Sequence, residues 1–269
     1  MKALIFSDIH LDVAPNRRHQ MEQFTQFLRR IDPRQYPRIV ILGDLFDFWF
    51  EYKHVVFSGY FEVLRALADL RDRGVEFHFV GGNHDFWAGR FLRDVLGFVI
   101  HTEPLMLDFD GKRALLVHGD GLNPQDVGYR VYKRIARARP VVWLFRLLHP
   151  DWAMALAQRV SRTSRRLTEA PDLATGPEVN PLREFARREL AEGHADIVVC
   201  GHSHYPVREE VPTPDGVGVY FNTGDWLYHQ SYIEWDGTEF QLRSFDQEAA
   251  DPEPHAKAEA PVNQGEKQP

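Results

Sequence analysis

Short aliphatic runs alternate with amphipathic stretches through the first part of the chain. Leu4–Phe6 and Ile39–Leu42 are apolar at consecutive positions, and Phe77–Val80 at all but His78, the pattern of strands covered on both faces. Between them Met21–Ile31 and Tyr60–Arg73 repeat apolar residues at helical spacing. Strand and helix in alternation predict a largely parallel sheet with helices packed on it. Leu105–Phe109 and Ala114–Val117 follow, joined through Asp110-Gly111, a strong hairpin signal.

After His118 the pattern changes. Gly128–Arg139, Val141–His149 and Trp152–Arg166 read as helices, with breaks at Pro140 and Pro150. Pro171, Pro177 and Pro181 interrupt the chain before a further helix at Leu182–Glu192. Strands resume at Ile197–Cys200, Tyr205–Val211, Val217–Asn222, Ser231–Trp235 and Phe240–Phe245, the last two linked by the turn Asp236-Gly237. From Gln247 onward Val262 is the one large apolar residue, so residues 247–269 are expected to be a disordered tail. There is no internal repeat. The expected organisation is one domain over residues 1–246, a two-sheet α/β sandwich with a helical cap inserted at about 122–194.

Composition narrows the classes. At 269 residues the chain can bury one substantial core and carry an insertion. Its net charge of −7 argues against a general nucleic-acid binder, which needs a basic face for phosphate contacts. Cys200 is the single cysteine, so no internal disulfide is possible, and its aliphatic setting reads as a buried strand. No apolar run approaches the roughly 20 residues that cross a bilayer, and Met1–Phe6 is too short for a signal peptide. A cytoplasmic placement is expected, and the inner-membrane surface is a compatible peripheral station.

The chemistry lies where apolar runs end. Asp8-Ile9-His10, Gly43-Asp44, Gly82-Asn83-His84-Asp85, His118-Gly119 and Gly201-His202-Ser203-His204 each follow a predicted strand. Loops at strand ends are where α/β sheets place ligands, so residues distant in sequence can converge. Carboxylate, amide and imidazole donors without thiolate suit Mn²⁺, Fe or Zn²⁺ in a reactive site. Two such cations about 3.5–4 Å apart can activate water and hold a phosphoryl oxygen in line. Any one of these motifs alone reads as a loop or a cap. Five in order, each after a strand, do not.

In this order the motifs resemble those of the calcineurin-like metallophosphoesterase family, across the core from Met1 to about Phe245. The resemblance implies a four-layer α/β/β/α two-sheet sandwich and a pair of divalent metal ions, Mn²⁺ first, with Fe or Zn²⁺ as alternatives. It implies that Asp8, His10, Asp44 and His204 hold one metal and that Asp44, Asn83, His118 and His202 hold the other. His84 would protonate the leaving group, with Asp85 orienting its ring, and Asn83 and His84 would also reach the substrate. Asp47 reads equally as support for the site or as a loop anchor, and Asp120 as an orienter of its loop.

The substrate has to come from the insertion. Between Gly128 and Arg166 it carries Arg130, Lys133, Arg134, Arg137, Arg139, Arg146, Arg159, Arg162, Arg165 and Arg166 against the single acid Asp151. Among them lie Trp143, Phe145, Leu147 and Trp152. Basic helices with large apolar residues suit an anionic membrane surface or an amphiphile with a charged head; a cap with its own small core and a solvated basic face is the plainer reading. Gly43–Trp49, His118–Leu122 and Asp126-x-Gly128-Tyr129 resemble the branch of the family that hydrolyses UDP-2,3-diacylglucosamine in lipid A synthesis. That resemblance implies cleavage to UMP and 2,3-diacylglucosamine 1-phosphate, with Asp126, Tyr129 and, more loosely, Ser164 and Arg165 at the substrate. One residue departs: the best-known members of that branch have Arg where this chain has His84, the residue of the wider family. The alternatives are a soluble metallophosphoesterase acting on nucleotides or another phosphorylated amphiphile, and a catalytically retired interaction scaffold.

Overall fold

The computed structural model describes residues 1–14, 17–102, 104–168 and 178–245, with the side chains of 160–168 set aside. Two sheets face each other. The first has six strands in the order β11-β10-β1-β2-β3-β4, where β1 is Ala3–Phe6, β2 Arg38–Ile41, β3 Glu76–Val80, β4 Val99–His101, β10 Ser231–Trp235 and β11 Phe240–Ser244. The second has five in the order β5-β6-β7-β9-β8, where β5 is Leu105–Phe109, β6 Lys112–Val117, β7 Ile197–Cys200, β8 Val207–Thr213 and β9 Gly216–Asn222. β1 to β4 run parallel, as do β6, β7 and β9.

Register explains the unbroken apolar runs. Leu4 pairs with Ile39 and Ile39 with Phe77, and this row, with Phe6, Ile41 and Phe79, packs outward under helices α1 (Arg18–Arg30) and α2 (Phe61–Asp72). The alternate row, Ala3, Ile5, Val40, Leu42 and Val80, faces Leu116, Val199 and Phe221 of the second sheet. Both faces of these strands are dry, so both side-chain rows must be apolar. On the far face, Leu182, Ala186 and Leu190 of α6 (Val179–Ala191) cover Val117, Val198, Cys200 and Tyr220. This is the four-layer sandwich the motifs implied. It also moves α6, placed in the insertion on sequence, into the sandwich as its fourth layer.

The cap consists of α3 (Val127–Ala136), α4 (Arg139–Phe145) and α5 (Pro150–Thr168). Pro140 sits in the first turn of α4 and Pro150 opens α5. Each proline starts a helix rather than breaking one, since the first turn makes no use of the missing N–H. The cap leans on loops that follow the metal motifs. Phe145 packs its ring on Phe50 and Trp87, each 4.8 Å away between centroids. Trp87 Nε1 donates to the Ala136 carbonyl at 3.1 Å, and Gln158 Nε2 donates to Asp12 Oδ1 at 3.1 Å. The single π-helical turn Phe91–Val95 and the three-residue edge strand β4 were not anticipated. Neither has an apolar run long enough to show a period. The expected tail lies outside the described residues.

Candidate metal centre

Each of the five motifs begins within three residues of a strand end, three on the neighbouring strands β1, β2 and β3 and two on β6 and β7. Backbone strain is concentrated there. Among the described residues seven non-glycine positions have positive φ, and Asp8, His10, Asp44, His202 and His204 are five of them. Such conformations cost of order 1–3 kcal/mol each and persist where the surroundings enforce them, commonly at functional sites. The motif glycines are needed for close approach. A Cβ on Gly43 would lie 2.5 Å from Gly82 N, and one on Gly82 would lie 2.7 Å from Asp44 N and collide with Asp44 Oδ1.

Three overlapping trios, Asp8/His10/His204, His10/Asp44/His84 and Asp8/Asp44/His118, each bring ligand atoms within 4.8 Å of one another. Asn83 joins them through Oδ1, 3.0 Å from His118 Nε2. The His202 ring lies 5.1 Å from the His118 ring between centroids, outside the three trios, while its backbone N–H donates to Asp8 Oδ2 at 2.8 Å. The seven residues expected to hold metal therefore lie together, with Asp8, His10, Asp44 and His118 buried and Asn83, His202 and His204 partly exposed.

The donors are arranged for a cation. His118 Nδ1 donates to the Leu42 carbonyl at 2.6 Å, so its Nε2 presents a lone pair, and it meets Asn83 Oδ1 and Asp44 Oδ2, the latter at 3.5 Å. His204 Nδ1 donates to Asp225 Oδ2 at 3.3 Å, leaving its Nε2 facing His10 Nε2 at 3.2 Å and Asp8 Oδ1 at 3.5 Å. Asp8 Oδ1 is buried with no hydrogen-bond donor. A buried carboxylate oxygen without a donor is costly unless a positive charge sits beside it. The residues present fit divalent metal ions.

Electrostatics agree. Burial, then the Asp85 and Asp8 carboxylates, hold the Asp44 carboxyl well above the usual carboxylate range. Burial and the neighbouring His118 keep His202 neutral, its pKa lowered to about 3. Burial alone would raise Asp225, but hydrogen bonds from His204 and His229 hold it below the usual range.

Some expected partners differ. His84 Nδ1 donates to the Asp47 backbone carbonyl at 2.8 Å and lies 3.7 Å from the Asp47 carboxylate, which also stands 3.6 Å from His10 Nδ1. Asp47 thus orients the His84 ring, the role expected of Asp85. The Asp85 carboxylate instead accepts backbone N–H groups, from Leu45 at 2.8 Å, Gly82 at 2.9 Å and Asp44 at 3.2 Å, tying the second motif to the third. Asp126 caps α3 by accepting the Tyr129 N–H at 2.8 Å, and the Tyr129 hydroxyl donates to Asp120 Oδ2 at 2.7 Å, so both engage the protein itself. Asp120 joins its loop to α3 through Tyr129 and Lys133. Burial would raise its pKa, but His118, Lys133 and Tyr129 bring it down to about 2. The side chains of Ser164 and Arg165 lie outside the described residues.

Asp225 was missed. It follows Asn222-Thr223-Gly224 at the end of β9, so the strand-end signal that marked Gly43-Asp44 is present there too.

Strand-end carboxylates and imidazoles gathered from two facing sheets define a metal-dependent phosphoester hydrolase. The chain belongs to the calcineurin-like phosphoesterase family, whose family model matches residues 1–206. It is 32% identical over 269 residues to the UDP-2,3-diacylglucosamine hydrolase of Porphyromonas gingivalis, covering 91% of this chain and 98% of that one. The enzyme of the same name from Neisseria gonorrhoeae is 31% identical over 87% of this chain and 95% of its own. Among solved structures, the phosphoesterase Yfce from E. coli overlaps 92% of this chain and 94% of its own at 19% identity and a TM-score of 0.43.

Proposed function

We propose that this chain hydrolyses the pyrophosphate bond of UDP-2,3-diacylglucosamine, releasing UMP and 2,3-diacylglucosamine 1-phosphate, with two divalent metal ions, Mn²⁺ first among them. The relatives of that name match it nearly end to end. The observation that carries the reading is a phosphoester centre beside a cap that shows its apolar side chains outward. Val127, Val131 and Ile135 form a row on α3, each more than half exposed, and Trp143 and Leu144 of α4, with Leu147 in the turn after it, are 62–64% exposed. A polar nucleotide substrate gives no reason for that surface; acyl chains and the inner leaflet they come from do. We therefore place the protein at the cytoplasmic face of the inner membrane as a peripheral protein, with α3–α5 as the substrate cap.

Bound at the centre, the two ions would activate a water and withdraw charge from the phosphoryl oxygens. Asp8, His10, Asp44 and His204 would hold one and Asp44, Asn83, His118 and His202 the other, with Asp44 shared. His84 keeps its Nδ1 proton on the Asp47 carbonyl, so Nε2 is the atom that exchanges a proton with the leaving oxygen. Asp47 and Asp225 keep the His10, His84 and His204 rings in place.

A Mn²⁺-supplemented assay of UDP-2,3-diacylglucosamine beside bis-p-nitrophenyl phosphate and simple nucleotides tests this. UMP release from the acylated substrate is expected. Cleavage of the small diesters with none of the lipid would reject the substrate.

A further inference from the structure

Asp120 is where the cap is fastened to the loop that carries His118. Its carboxylate is buried, and Oδ2 receives both the Tyr129 hydroxyl at 2.7 Å and the Lys133 ammonium at 2.6 Å. The same ammonium reaches the Asp120 carbonyl at 3.2 Å. Tyr129 and Lys133 are four residues apart on α3 and share one face of it. The row Val127, Val131 and Ile135 occupies another face and is exposed. α3 is therefore docked through its polar residues with apolar ones outward, the reverse of an ordinary surface helix. Little apolar burial holds it, since Ala136 is its one buried residue. A half-buried ion pair and a hydroxyl bond, both on Asp120, fasten its polar face, and the Trp87 Nε1 bond to the Ala136 carbonyl holds its C-terminal end.

We propose that Asp120 is a positioning residue that fixes α3 against the metal centre, and that this latch sets the preference for acylated over small phosphodiesters. The specificity half rests on the proposed substrate; the latch itself does not. With Asp120 two residues from His118, the cap and one metal-ligand arm share an anchor, so the apolar row on α3 keeps a fixed place relative to the reacting phosphate.

Lys133→Met removes the cation and keeps the length of the side chain. In the full chain with Mn²⁺, KM for UDP-2,3-diacylglucosamine should rise about tenfold, the scale of one lost charge-assisted bond, while turnover of bis-p-nitrophenyl phosphate stays within about twofold. Equal losses on both substrates, or no change on either, would overturn the proposal. Hydrogen exchange decides the latch without any substrate: amides of residues 127–136 should exchange at least about tenfold faster in Lys133→Met. Unchanged exchange would sink the latch. A wild type that ignores the acylated nucleotide yet shows faster exchange in the variant would sink the substrate alone.

Discussion

His118 donates its Nδ1 proton to the Leu42 carbonyl at 2.6 Å, and that bond chooses the nitrogen that faces the site. Leu42 directly follows β2, so the backbone of the strand carrying Asp44 fixes the tautomer of a ligand arriving from the other sheet. Asp225 does the same for His204 from the end of β9. If the two rings hold metal as proposed, the fold itself has prepared them for it.

The Asp44 carboxylate is a liability to the fold until metal arrives. Its folded pKa is raised by burial, then by Asp85 and Asp8, so the metal-free fold binds that proton more tightly than the unfolded chain does. Stability is lost as pH rises from the ordinary carboxylate range through the raised folded value. Metal-free Asp44→Asn should therefore melt above metal-free wild type at neutral pH, the gap closing toward acid. Added Mn²⁺ should reverse the order, stabilising wild type alone, and turnover of the variant should fall at least about 10³-fold. Thermal melts in chelator and in Mn²⁺ across pH check this. A variant less stable than wild type without metal would contradict the charge argument.

The strand-end motifs were legible because a parallel strand dry on both faces is apolar at every position, so the first carboxylate or imidazole after it stands out. Leu4-Ile5-Phe6 running into Asp8 is such a case. What the side-chain pattern does not encode is which atom faces which. Asp85 belongs to the third motif and Asp47 lies three residues past the second, yet Asp47 orients imidazoles and Asp85 collects backbone amides. α6 was counted with the insertion for a related reason: its amphipathic face says that it covers something, not that it covers β7 and β9.

Asp225 is a ring orienter rather than a ligand, and the two roles separate experimentally. Asp225→Asn keeps the shape and loses the charge that holds His204 Nδ1–H. Metal affinity should fall about 10–100-fold, with turnover largely restored by excess Mn²⁺. Equilibrium metal binding followed by a Mn²⁺ titration of activity reads both. Lost turnover at saturating metal with unchanged affinity would place Asp225 in the reaction instead.

The outward apolar residues of α4 and of the turn after it give the membrane reading its test. Trp143→Ser with Leu147→Ser removes two side chains that are more than three-fifths exposed, so the fold should be indifferent. Co-sedimentation with vesicles containing phosphatidylglycerol should drop several-fold, while cleavage of bis-p-nitrophenyl phosphate is unchanged. Equal sedimentation of variant and wild type would remove α4 from the membrane contact.

Asp85 separates two accounts of the third motif. As an orienter of His84 it would affect the chemical step alone, so Asp85→Ala would lower kcat with metal content and stability intact. The structure gives it the N–H groups of Leu45, Gly82 and Asp44, all buried. Removing their acceptor strands these donors and loosens Gly82 from Asp44, where there is no room for even a Cβ. The expected loss is about 2–3 kcal/mol of stability together with weaker metal retention, because hydrogen bonds to a charged group are among the costliest to break. Denaturant unfolding and metal content of the purified variant are the measurements. A stable, metal-replete Asp85→Ala protein with a low kcat would return the ring-orienting role to Asp85 and take it from Asp47.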